Sequence, residues 1–142
     1  MSAFRIRPSH IAVAAALAGL ALGVALDRTA FAQQTRQPAV KRTVLGRMDV
    51  PQGPQYEGVM AIVEIPVGGD SRKHRHPGVE LAYVLEGSVN VKYEDGTAKM
   101  FKTGDAMMNH GVHDATNPGK APVKILAVYV VEKGKPMAEP VP

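Results

Sequence analysis

The segment 88–102, SVNVKYEDGTAKMFK, carries the strongest folding signal in this chain of 142 residues. Residues of different polarity alternate on both sides of Asp95-Gly96, and an Asp-Gly pair is a preferred two-residue turn between antiparallel strands. Successive side chains of a strand point to opposite faces, whereas a helical pattern repeats every 3.6 residues. The segment therefore predicts a β-hairpin.

Short segments rich in Val, Ile and Tyr, separated by Gly and Pro, continue this pattern along the chain. They predict strands at 43–48, 58–65, 81–85, 88–93, 98–102, 106–109 and 123–131. No stretch after the N-terminal region has the length and pattern of an amphipathic helix. About eight short strands in so small a domain predict an all-β fold, either a sandwich or a small antiparallel barrel.

The first 32 residues have a different composition. Arg5 and Arg7 precede an uncharged apolar run at 11–26, and the sequence AFA then supplies small residues at a cleavage site. We expect residues 1–32 to be a secretory signal peptide, with an uncleaved N-terminal anchor as the alternative. The mature protein would then be exported, to the periplasm or outside the cell, and would have no membrane association after cleavage.

The remaining chain divides into three parts. Residues 33–42 form an expected flexible lead-in, 43–132 the folded domain, and 133–142, which end in AEPVP, a C-terminal tail. The predicted strands at 43–48 and 58–65 are apolar enough to pair with, or pack on, a second copy. Because exposed edge strands need covering, we expect a homodimer.

Charge and cysteine content limit the classes of function. Removal of residues 1–32 takes away three Arg and one Asp, which leaves 14 basic and 12 acidic side chains and a net charge of +2. The basic residues are scattered and aromatic residues are few, so we expect no nucleic-acid partner. The chain has no cysteine, which excludes disulfides and thiolate ligands.

The four histidines that follow residue 32 form two clusters. His74 and His76 are two residues apart and would point to the same face of a strand. After a turn, Glu80 can approach the same point, and a third imidazole would come from His110 or His113. Three neutral nitrogens and one carboxylate suit Fe(II), Mn(II), Ni(II), Zn(II) or Cu(II).

The spacing of the first cluster resembles the first motif of the cupin family. Gly68, five residues, His74-x-His76, three residues, Glu80, six residues and Gly87 agree with that motif at every position. The resemblance covers nearly the whole mature chain. It implies a small single-domain cupin with the double-stranded β-helix form of the jelly roll.

The second cluster resembles the second cupin motif with a departure. Gly104-Asp105 is followed by His113, three residues and Asn117, but eight residues without a Pro separate Gly104 from His113. The family pattern has ten residues with a Pro there. The His-x-x-x-Asn spacing favours His113 as the ligand, with His110 as the substitute, and Asn117 is interpreted as a structural hydrogen-bonding residue.

The resemblance implies one divalent transition metal, Fe, Mn, Ni or Zn, held by His74, His76, Glu80 and His113. Cupins include dioxygenases, decarboxylases, isomerases and lyases, so the implied protein is a metal-dependent enzyme acting on a small oxygenated or carbonyl compound. A non-catalytic metal-binding or small-ligand-binding cupin is the alternative. Lys73, Arg75 and His110 are candidates for holding an anionic or carbonyl substrate.

Strand phase predicts the positions of side chains around the site. Ala82 is in phase with Glu80 and would leave room for a small ligand beside the metal. Tyr83 is out of phase and should face away from the metal. Met107 and Met108 are both expected to fill the barrel interior.

Overall fold

The structure, a computed structural model, describes residues 38–142. The predicted signal peptide and residues 33–37 of the predicted lead-in lie outside the described residues. Within the described part of the chain, no helix is long and apolar enough to span a membrane.

Residues 38–142 form ten strands: β1 (Lys41–Asp49), β2 (Tyr56–Ile65), β3 (His74–Arg75), β4 (Gly78–Glu86), β5 (Ser88–Tyr93), β6 (Ala98–Lys102), β7 (Ala106–Asn109), β8 (His113–Thr116), β9 (Val123–Glu132) and β10 (Glu139–Pro140). All seven predicted strands are present, several of them longer than predicted. The three strands that the sequence did not predict, β3, β8 and β10, have only two to four residues. The two residues of β3 and of β10 are too few for alternation to be recognised, and β8, with the sequence HDAT, has a single apolar residue.

The strands form two five-stranded sheets, and every paired strand is antiparallel. One sheet has the order β1-β2-β9-β4-β7, and the other has the order β10-β3-β8-β5-β6. The predicted all-β jelly roll is therefore confirmed.

The hydrophobic core is built by strict alternation on the long strands. Along β9, Val123, Ile125, Ala127, Tyr129 and Val131 are buried, while the residues between them are more exposed. Burial of one Val or Ile side chain stabilises the fold by about 1.5–3 kcal/mol. The repeated alternation therefore fixes which face of each long strand points inward.

Side-chain orientation on β4 and β7 follows the strand phase, with one correction. Tyr83 is exposed on the outer face, as predicted, and Ala82 and Met107 are buried in the core. The prediction for Met108 is wrong, because 75% of its surface is exposed. Adjacent residues of a strand point to opposite faces, so Met107 and Met108 cannot both fill the interior.

Asn117 has the structural role that we predicted. Its Nδ2 donates to the carbonyls of Ile65 (3.0 Å) and Ala121 (2.9 Å), and its Oδ1 accepts from the amide of Gly119 (2.9 Å). The residue is buried and ties the end of β2 to the loop before β9.

The C-terminal segment differs from the tail predicted for 133–142. Its strand β10 pairs with β3, where Glu139 lies opposite Arg75 and Pro140 opposite His74. The Arg75 Nε and Glu139 Oε2 atoms are 3.1 Å apart, and Met137 packs against the core. The segment is held because β3 offers it a free edge to pair with.

Candidate metal centre

Three buried histidines meet between the two sheets. His74 of β3 lies directly opposite His113 at the start of β8, and His113 in turn lies opposite Tyr93 of β5. His76 follows β3 immediately, and each ring of His74, His76 and His113 has a nitrogen within 4.8 Å of the others. His110 is exposed and lies outside this group. The register of β8 thus selects His113 for the cluster.

The Glu80 carboxylate faces the imidazoles from the other sheet. It is buried, and its Oε2 lies 3.4 Å from His76 Nε2 and 3.6 Å from His113 Nε2. On its own sheet, Glu80 is flanked by Asn109 of β7 and Tyr129 of β9. The four predicted ligand residues are therefore brought together by the two sheets.

Each imidazole is oriented by a backbone carbonyl. His74 Nδ1 donates to the Arg72 carbonyl (2.8 Å), His113 Nδ1 to the Gly111 carbonyl (3.3 Å), and His76 Nδ1 to the Met137 carbonyl. A carbonyl only accepts hydrogen bonds, so Nδ1 carries the proton in each ring. Nε2 then presents a lone pair to the centre of the cluster, which is the tautomer that a metal-binding histidine requires.

The carbonyl partner of His74 belongs to a residue in an unusual backbone conformation. Arg72 has a φ of 57°, in the left-handed region that costs a non-glycine residue roughly 1–2 kcal/mol. Its amide donates to Asp70 Oδ1 (2.6 Å), which holds this conformation. The strained turn thus directs the Arg72 carbonyl toward His74.

Burial and neighbouring groups determine the charges in the cluster. Burial raises the pKa of Glu80, but contacts with His113 and His76 and the hydrogen bond from Asn109 outweigh it and hold this pKa below its usual range. Burial lowers the pKa of His74 to about 4, although its hydrogen bond to the Arg72 carbonyl opposes the shift. At neutral pH, Glu80 is therefore ionised and His74 is neutral.

This arrangement of lone pairs fits a bound cation. The Nε2 of His76 is buried and has no hydrogen-bond partner among the described residues. With Nδ1 protonated, the Nε2 atoms of His76 and His113 face a carboxylate that is itself negative, so their contacts stabilise its charge only when a proton or a metal cation lies between nitrogen and oxygen. Such a cluster of acceptors is stabilised only when a positive charge lies between them, and the nitrogen and oxygen donors suit a divalent transition metal.

A small cavity of about 30 Å³ adjoins the cluster. Polar groups on its wall come from both sheets: Arg42, Ser71, His74, Glu80, Asn109, His113 and Tyr129. Its apolar wall includes Val40, Val63 and Met107. Ala82 is buried in the core beside this cavity wall and is not one of the lining residues.

The basic residues suggested as substrate contacts lie elsewhere. Lys73 and His110 are exposed, and Arg75 is exposed and paired with Glu139. Neither Lys73, Arg75 nor His110 lines the cavity beside the histidines. Arg42 is the basic side chain that the structure places there.

Asn109, Tyr129 and Arg42 were missed as site residues by the sequence analysis. Asn109 is two residues from the buried Met107, and Tyr129 is two residues from Val131. Because residues i and i+2 of a strand share a face, both polar side chains could have been predicted to point inward. Arg42 precedes the predicted start of its strand and gave no such signal.

The comparisons with known proteins define the class. Residues 61–129 match the family model of the cupin domain. Together with the two antiparallel sheets and the histidine cluster, this match shows that the chain carries a small, single cupin domain.

Solved structures agree on the fold. An uncharacterized protein with a double-stranded β-helix domain from Klebsiella pneumoniae is 21% identical, with 75% of this chain and 90% of that chain covered and a TM-score of 0.59. The polyketide cyclase RemF from Streptomyces resistomycificus is 23% identical, with 75% and 76% covered and a TM-score of 0.55. The DMSP lyase DddQ from Ruegeria pomeroyi is 19% identical, with 72% and 51% covered and a TM-score of 0.58.

Curated relatives match over shorter stretches. The phomopsin biosynthesis cluster proteins C' and D of Diaporthe leptostromiformis are 28% identical over 68 residues and 29% identical over 55 residues. These alignments cover 46% and 39% of this chain. The chain spans only 36% and 29% of the length of these relatives.

Proposed function

We propose that the protein is a metal-dependent cupin enzyme that acts on a small oxygenated or carbonyl compound. One divalent transition metal, Fe, Mn, Ni or Zn, would be held by His74, His76, Glu80 and His113. The observation that carries this proposal is the cluster of three buried imidazoles, in which the Nε2 atoms of His76 and His113 face the buried Glu80 carboxylate. A metal bound there would polarise a ligand oxygen or carbonyl group.

The chain's own groups would hold and shield the ligand. Asn109 fixes the Glu80 carboxylate through a hydrogen bond of 2.7 Å. Burial and the neighbouring Glu80 raise the pKa of Tyr129, so its hydroxyl keeps its proton and can donate to a ligand oxygen. The apolar wall at Val63 and Met107 excludes water from one side of the cavity. The names of two structural neighbours, a cyclase and a lyase, favour an enzyme.

The second candidate is a cupin that binds a metal or small ligand without catalysis. The cavity volume of about 30 Å³ favours it, because this volume holds little more than water-sized groups. An enzyme of this form would act on a very compact compound or would need its cavity wall to move.

The proposal is tested by metal analysis of the purified protein, expressed so that it starts at residue 33. Elemental analysis should find one divalent transition metal in the wild type and almost none in His76→Ala. Dioxygen uptake and ultraviolet absorbance would then be followed with panels of small carbonyl and hydroxy compounds. Turnover that disappears with the metal supports the enzyme, whereas ligand binding without turnover supports the second candidate. A wild type that takes up no metal would contradict both metal-dependent roles.

A further inference from the structure

Arg42 introduces a positive charge into the wall of the metal cavity. It lies on β1 opposite Val63 of β2, and both residues line the cavity together with Val40, two positions earlier. Since residues i and i+2 share a face of an extended chain, Val40 and Arg42 point to the same side. Arg42 is the one partly buried residue of β1, whose other residues are exposed.

Arg42 forms no ion pair with a carboxylate among the described residues. Its Nε is buried and has no hydrogen-bond partner in the described part of the chain. No carboxylate of residues 38–142 lies within 4.0 Å of its guanidinium nitrogens, whereas Arg47 on the same strand contacts Glu57 at 2.6 Å. A buried, unpaired guanidinium N–H is costly, which indicates that a further group completes it.

Charge balance in the cavity favours an anion as that group. Glu80 is the acidic residue that lines the cavity. The positive charges of a divalent ion at the histidines and of the Arg42 guanidinium would together exceed the single negative charge of Glu80. Tyr129, which also lines the cavity, adds a neutral hydroxyl donor. A guanidinium and a hydroxyl are the donors with which proteins commonly bind carboxylates.

We infer that Arg42, assisted by Tyr129, is the specificity-determining residue of the site and selects a compact carboxylate as the ligand. The cavity volume of about 30 Å³ limits the anion to a few non-hydrogen atoms in the form that the structure shows. This inference rests on the proposed function, because the carboxylate would bind beside the metal. It adds the class of ligand, which the metal site alone leaves open.

Acetate binding to the cobalt(II)-loaded protein tests this role without any assay of turnover. Acetate and its neutral isostere acetamide would be titrated while the visible absorption of cobalt is recorded. Arg42→Gln should weaken acetate binding about ten-fold or more, as expected for loss of a charge-assisted contact, and should leave acetamide binding nearly unchanged. Arg42→Lys should give an intermediate acetate affinity, because it keeps the charge but loses the planar fork.

Arg47→Gln is the matched control, since Arg47 lies on the same strand but is exposed and paired with Glu57. It should bind acetate as the wild type does. Equal acetate affinity in Arg42→Gln and the wild type, or an equal loss for acetate and acetamide, would overturn the inference. The metal content of the wild type separates the two hypotheses: a chain that binds neither cobalt nor any of the four proposed metals refutes the proposed function, whereas a loaded chain indifferent to Arg42 refutes only this inference.

Discussion

The side-chain amide of Asn109 donates a hydrogen bond of 2.7 Å to Glu80 Oε2, the same oxygen that lies 3.4 Å from His76 Nε2 and 3.6 Å from His113 Nε2. Tyr93, on the facing sheet, donates its hydroxyl to Asn109 Oδ1 at 3.2 Å. Because Oδ1 accepts from Tyr93, the amide nitrogen is directed at the carboxylate. Asn109 therefore links the two sheets and positions a candidate metal ligand.

Asn109→Leu should weaken metal binding without abolishing it. The substitution leaves Glu80 without its amide donor, and loss of such an outer hydrogen bond lowers metal affinity about 10–100-fold. Competition with a chromophoric chelator measures this change. Asn117→Ala is the comparison, because Asn117 bonds only to backbone groups away from the histidines. It should lower the thermal midpoint but leave the affinity of the folded protein unchanged. Equal metal affinity in Asn109→Leu and the wild type would show that the hydrogen bond does not position the ligand.

His113→Ala should empty the metal site, and His110→Ala should not. His113 is buried beside His74 and Glu80, whereas His110 is exposed at the end of β7. The metal content of both variants after purification in the same medium gives the answer. The reverse result would mean that the shortened second motif supplies its ligand from His110.

The C-terminal segment should contribute to metal affinity. Truncation after Lys135 removes strand β10 and the Met137 carbonyl that accepts from His76 Nδ1. A ligand ring without its orienting partner typically binds metal about 10–100-fold more weakly. Chelator competition measures the loss.

A shorter truncation provides the control for this experiment. Removal of Val141 and Pro142 alone deletes the bond from the Val141 amide to the Lys73 carbonyl but retains β10. It should bind metal nearly as the full chain does. If both truncated proteins keep full affinity, the C-terminal segment has no role in holding His76.

The expected homodimer should use the apolar groove between β1 and β2. Met48 and Met60 line this groove and are 68% and 44% exposed, and β1 lies at the edge of its sheet. A charge on an apolar interface opposes association, so Met60→Glu should convert the dimer to a monomer. Light scattering after gel filtration reports the mass. Met108→Glu, at an exposed site on β7, is the control and should remain dimeric. A wild type that is monomeric at all micromolar concentrations excludes the dimer.

Export should remove the N-terminal segment. The basic start, the apolar run at 11–26 and the sequence AFA predict cleavage after Ala32. Intact mass spectrometry of the exported protein should therefore show Gln33 as its first residue. Recovery of a chain that keeps Met1, in the membrane fraction, would support the uncleaved anchor instead.

Strand pattern and residue spacing were sufficient to predict the fold class and the first half of the candidate site. Alternation on the long strands predicted seven of the ten strands, because burial of one face of a sheet imposes a period of two residues. His74, His76 and Glu80 could be grouped because they are close in sequence, so local strand geometry and one turn suffice to bring them together. Hydrophobicity alone wrongly predicted that Met108 is buried. Its position next to the inward-facing Met107 on the same strand places it on the outer face instead.

The residues that complete the site come from distant parts of the chain, and strand pairing in the folded domain selects them. The choice of His113 over His110 depends on the register of β8 against β3, and the role of the Met137 carbonyl depends on the pairing of β10. Arg42 reaches the cavity through the pairing of β1 with β2. Such contacts join residues that are far apart in the chain. They are determined by strand pairing, which depends on the whole folded domain. Local periodicity predicts the face of a strand, but it does not predict the partner that the face meets.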